Sequence, residues 1–168
     1  MRPLILLIMM FALACTSPPA RDPAVVEDVL QYVAKIKKWE PVEIETLKAI
    51  KDVRENQFVD DEYVVATLSG VMDDMQLHLA EIERYQPRTP PVTEVHDRYR
   101  QAWTDLHEAF TAVITAMERK DYEALSKGTE SLKTSRQELF LVAAAIDILL
   151  EDSGLKDNQG AADRPAAS

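Results

Sequence analysis

From Val92 to Ala116 the apolar residues Val92, Val95, Tyr99, Ala102, Leu106, Ala109, Val113 and Ala116 stand alternately three and four positions apart. A strand puts every second side chain on one face, so this spacing belongs to a long helix that packs lengthwise against others. Trp103, Phe110 and Met117 widen the same face. Three more segments repeat the pattern. The first carries Val26, Val29, Val33, Ile36, Ile44, Leu47 and Ile50, and the second Val64, Leu68, Val71, Met75, Leu79 and Ile82. The last carries Leu125, Gly128, Leu132, Ser135, Leu139, Val142, Ile146 and Leu149. Only 4 glycines stand against 9 prolines in 168 residues, with no Asn-Gly or Asp-Gly pair between alternating runs, which argues against an all-β fold. A chain of this length favours one domain.

Polar and proline-rich punctuation sets the boundaries. Asp22 before Pro23 starts the first helix, and Pro41 predicts a kink or a split near Trp39-Glu40 because proline removes a backbone bond and crowds the preceding turn. A kink keeps Pro23 to Asn56 as one rod of about 50 Å, matched to the others. Asp60 is expected to cap the second helix, with Val59 stapled on Val64. Gln86-Pro87-Arg88-Thr89-Pro90-Pro91 reads as a turn, with the third helix starting near Pro91. Arg119-Lys120-Asp121 reads as a tight reversal, Asp121 caps the fourth helix, and Gly154 ends it. Short connections make consecutive helices antiparallel neighbours, so the expected architecture is an all-α, up-down-up-down antiparallel four-helix bundle over 23–152. Residues 153–168 are expected to form a disordered tail.

The start of the chain has a different character. Arg2 precedes an unbroken apolar run from Leu4 to Leu13, followed by Ala14-Cys15 at the small-residue cleavage position of a secretory signal. Ten apolar residues are too few to cross a bilayer, which takes about 20. Cys15 is the single cysteine and closes no disulfide within the chain. The quartet Ala12-Leu13-Ala14-Cys15 resembles the lipobox of bacterial lipoproteins, with Ala12 where Leu is commoner. That resemblance implies that residues 1–14 are a signal peptide, that Cys15 is acylated and anchors the chain in a membrane, and that 15–22, with Pro18-Pro19, is a lipidated tether. Thr16, in place of an Asp after the Cys, implies an outer membrane facing the periplasm, or the outer face of the cytoplasmic membrane in a host with one membrane. The alternative is an ordinary signal peptide cut near Ala14 or Ala20. The stretch from Pro90-Pro91 through the fourth helix, with His96 and the Lys120-Asp121 hairpin, also resembles helical lipoproteins of bacterial envelopes, and that resemblance implies no activity.

Candidate chemistry is sparse. The formal charge of −10, without a basic stripe, argues against a nucleic-acid partner. His96 and His107 lie roughly 16 Å apart along one helix, too far to share an ion. His78 and His96 fall at similar levels on antiparallel helices, near Asp74, Glu81, Glu94 and Asp97, on the flanks of their apolar stripes. They are the weak candidates for a zinc or copper site. No Glu-x-x-His repeat supports a di-iron centre, and Met72 or Met75 opposite His96 or His107 reads as core filler before haem ligation. No phosphate loop or nucleophile elbow appears, and Asp60-Asp61 and Asp73-Asp74 splay on their helices. No cofactor is called for. Gly128 and Ser135 on the fourth stripe imply close packing or a small pocket. Leu139 to Leu150 is apolar almost all round, so Leu141 and Ile148 are expected to stay exposed as an interface. Lys35, Lys37, Lys38 and Trp39 read as a solvated basic-aromatic face. The resulting expectation is a non-enzymatic, lipid-anchored envelope bundle that contacts an envelope protein or a second copy of itself. Its alternative is a ligand- or metal-binding bundle using His78 and His96 or a pocket beside Gly128 and Ser135.

Overall fold

Three of the four described helices begin where a short carboxylate accepts from a backbone N–H of the first turn. Asp22 accepts from the Ala24 amide at 2.9 Å, Asp60 from that of Tyr63 at 2.8 Å, and Asp121 from that of Ala124 at 3.0 Å. The computed structural model describes residues 21–55 and 60–156. They form α1 (Pro23–Glu55), α2 (Asp61–Arg84), α3 (Pro90–Arg119) and α4 (Tyr122–Asp152), with no strand among the described residues. Consecutive helices pack in an up-down bundle, and α3 lies at its centre against all three others. The expected all-α four-helix architecture is the observed one. Val59 and its staple lie outside the described residues, as do residues 1–20 and 157–168.

The α2–α3 turn is held from outside. Thr89 precedes α3 without a side-chain cap bond of its own, and Pro90 and Pro91 lack amide hydrogens. Asp28 of α1, only 1% exposed, reaches across the bundle instead. Its Oδ2 accepts from the Arg88 and Thr89 amides at 2.9 and 2.8 Å and from Thr89 Oγ1 at 2.8 Å. At the opposite pole Lys120 adopts a left-handed conformation, φ 55°, and the amides of Lys120 and Asp121 bond back to Met117 and Ala116. This is a Schellman reversal with lysine where glycine is usual. α4 ends the same way: Gly154 has φ 70°, and the Gly154 and Leu155 amides bond to Glu151 and Leu150. Ser153–Leu155, assigned to the tail from sequence, thus cap α4. Arg21 of the expected tether donates to the Asp152 carbonyl at 3.1 Å.

α1 runs through Pro41 without splitting. The carbonyl that Pro41 leaves free belongs to Lys37, an exposed residue, where water can satisfy it. The inward stripe of α1 departs from the expected one. Tyr32, Trp39, Thr46 and Ile50 are buried, whereas Ile44 is 54% exposed and Leu47 also faces out. Polar Glu43 and Thr46 take inward positions, so apolar spacing alone misplaces the face beyond Pro41. The main core gathers Leu68, Met75, Ile82, Trp103, Leu106 and Phe110, and a second cluster with Val29, Tyr32, Val92, Val95 and Leu149 fills the pole where α1 begins.

Candidate functional site

Where α1, α2 and α3 meet, Tyr32, Trp39, His78, Tyr85, His96, Tyr99 and Trp103 form one connected set of rings with centroids 4.4–6.3 Å apart. Helical spacing assembles it. Met75, His78 and Ile82 follow one another by three and four on α2, as do Val92, His96, Tyr99 and Trp103 on α3. Trp39 stacks on Tyr99 at 5.8 Å and 15°, and His78 meets Trp103 edge-on at 4.4 Å. The Trp39 indole N–H donates to Glu81 at 2.9 Å.

A polar relay crosses these rings. The Tyr99 hydroxyl donates to Glu43 Oε1, and His78 Nε2 lies 3.1 Å from the same hydroxyl. Because the tyrosine proton is committed to Glu43, His78 must donate from Nε2, a tautomer assigned from the network. Nδ1 of His78 is then an acceptor, and it has no partner among the described residues. Burial pushes His78 down to about 4, against a smaller upward pull from Glu81. Burial raises Glu43, partly offset by the Tyr99 hydrogen bond, and burial also raises Tyr99 and Tyr32. The imidazole is therefore neutral and both phenols are protonated at neutral pH. Glu43, Tyr99 and Trp103 also line a groove of about 320 Å³ between α1 and α4.

Both candidate ligand histidines are corrected by this geometry. His78 and His96 are 3% and 4% exposed, not on solvated flanks, because each continues its apolar stripe. His96 packs edge-on against Tyr32 and Tyr85 while His78 packs against Trp39, Tyr99 and Trp103. Asp74, Glu81, Glu94 and Asp97 are exposed. Among the described residues no three His, Cys, Asp or Glu side chains are grouped to hold a metal ion. Burial lowers His96 as well. Met75 lies fully within the core and His107 beside a surface dip with Glu108 and Thr111. Trp39 likewise leaves the expected basic-aromatic face for the core, while Lys35, Lys37 and Lys38 are exposed.

The fourth stripe divides the two readings offered for its small residues. A Cβ on Gly128 would lie 3.1 Å from Val113 Cγ2 and 3.2 Å from the Val113 amide nitrogen, so α3 and α4 approach closely there. Ser135 is buried and donates to the Ser131 carbonyl at 2.9 Å, beside an open dip lined by Asp105, Glu108, Lys127 and Glu130. Leu141 and Ile148 are 46% and 60% exposed, with Phe140 alongside. Cys15 lies outside the described residues. None of the described helices is long and apolar enough to cross a membrane.

Fold and site together define an up-down four-helix bundle with an internal aromatic and polar junction and an apolar outer strip on α4. Comparison with models of protein families, with curated proteins and with solved structures finds no match.

Proposed function

We propose that the chain is a lipid-anchored helical bundle of a bacterial envelope that acts through protein contact, with Leu141, Ala144 and Ile148 of α4 as the docking face. The observation that carries this reading is the exposure of Leu141 and Ile148 on one side of a helix whose other side fills the core. Positions 141, 144 and 148 recur at helical spacing, so their side chains form a strip and not scattered points. Such a strip on an acidic surface favours an apolar partner face, supplied by an envelope protein or by a second copy. Attachment through Cys15 rests on the Ala12-Leu13-Ala14-Cys15 resemblance. The role is non-catalytic.

Native mass measurement on protein extracted from its own membrane tests both parts. The expected result is an acylated Cys15 and a mass above that of one chain, which the double variant Leu141→Glu, Ile148→Glu reduces to one chain with an unchanged unfolding midpoint. A wild-type monomer, or an assembly indifferent to both substitutions, rejects the docking face. An unmodified Cys15 rejects the anchor.

A further inference from the structure

At the pole of the α3–α4 reversal, residues of all four helices line a half-open cavity of about 660 Å³. Its walls are aliphatic, with Ile50 from α1, Leu68 from α2, Val113 and Met117 from α3, and Leu125 and Leu132 from α4. An apolar recess of this size that opens to solvent leaves aliphatic side chains in contact with water, which an apolar ligand would cover. Pockets for small ligands span about 300–1,000 Å³ and are lined by apolar side chains with a few placed polar groups.

Those groups are Thr129, Glu130, Lys133 and Arg136 of α4. Lys133 is paired with Glu130 at 3.1 Å. Arg136 is not. Its guanidinium lies 5.9 Å over the Phe140 ring and makes no hydrogen bond or ion pair with the described residues. Half-buried, it borders both this cavity and the α1–α4 groove that contains Glu43 and Asp147. A half-buried guanidinium that no acid of the described residues pairs with is a cation to which an anionic head group is complementary. The two acids in the groove turn an anionic ligand the other way, so a head group on Arg136 directs its tail into the aliphatic cavity.

We propose that this cavity binds a single-chain anionic amphiphile, its carboxylate or phosphate on Arg136 with Lys133 beside it, and its hydrocarbon chain between Leu68, Met117, Leu125 and Leu132. The site is separate from the α4 docking strip and does not depend on it. The probe is palmitic acid carrying a terminal diazirine, photolysed with the full chain in lipid nanodiscs, with adducts located by peptide mass mapping. Saturable adducts are expected on the peptides carrying Met117, Leu125 or Leu132. Palmitate should compete, and hexadecanol, which has the chain without the charge, should not. Dodecyl phosphate competing as well as dodecanoate assigns the site to anionic heads in general, whereas competition by dodecanoate alone assigns it to carboxylates. Arg136→Gln should weaken labelling about tenfold or more, the loss of a charge-assisted contact, with Arg136→Lys retaining most of it. Leu68→Trp, which fills the cavity, should abolish labelling while helix content is retained. Equal labelling of Arg136→Gln, equal competition by hexadecanol, or adducts confined to the Leu141–Ile148 strip would each overturn the proposal.

Discussion

Asp28 does for α3 what a capping-box carboxylate does for its own helix, except that it comes from α1. Three donors converge on its Oδ2 in a site closed to water. Asp28→Ala leaves them unpaired and should cost about 2–4 kcal/mol in chemical unfolding, while Asp28→Asn, which keeps an acceptor oxygen, should cost less. His78 gives the stability its pH dependence. Its folded pKa is pushed down to about 4 from an unfolded value near 6.5, so the folded state binds fewer protons between those limits. Stability is complete above about pH 6.5 and falls through that window toward pH 4, by about 3 kcal/mol from this group. Glu43, raised by burial, works in the opposite sense, its contribution being lost as pH rises through its folded value. His78→Gln preserves a donor to Tyr99 and should flatten the acid limb of urea unfolding between pH 7 and 4, leaving the smaller slope from His96. An unchanged limb would remove His78 as its source. Both histidines were legible in principle, since the spacings from Met75 to His78 to Ile82 and from Val92 to His96 to Tyr99 are helical. Apolar residues alone define a stripe that leaves both histidines on its flank. Asp28 was not legible, because its partners lie about sixty positions away and nothing local marks it.

At the scale of elements the caps and stripes carry most of what sequence reveals. Asp22, Asp60 and Asp121 all cap as their positions imply, and every member of the α3 stripe is buried. α1 is the exception, since Glu43 and Thr46 face inward and no apolar period reports inward polar residues. The α3–α4 reversal makes two opposed tests. Lys120 holds φ 55° against the preference of a side chain with a Cβ, so Lys120→Gly should raise stability by about 1 kcal/mol. Gly128→Leu should lower it by about 1–3 kcal/mol or more, because the Val113 backbone stands where the new side chain must go. Denaturant midpoints decide both, and a Gly128→Leu protein as stable as the wild type would mean that the α3–α4 seam yields freely.

Across the whole molecule the helices are not held equally. α3 and α4 share a seam in which a Cβ at position 128 would stand 3.1 Å from Val113, whereas α1 and α4 border the α1–α4 groove from opposite sides. Native-state hydrogen exchange should therefore find the slowest amides on α3 where it faces α4, and α1 opening at lower free energy, with Asp28 and its turn as the last attachment lost. Uniform protection over α1 and α3 would contradict this ranking. The same arrangement sets synthesis against assembly. Of the described helices a ribosome makes α1 before the others, yet Asp28 waits about sixty residues for Arg88 and Thr89, while the α3–α4 hairpin closes through contacts between near neighbours as soon as it exists. A nascent chain halted before the prolines at positions 90 and 91 would leave Tyr32, Trp39 and His78 without their α3 partners, the kind of segment that holdase chaperones bind. Of the four described helices, the first to be translated waits longest for its α3 partners.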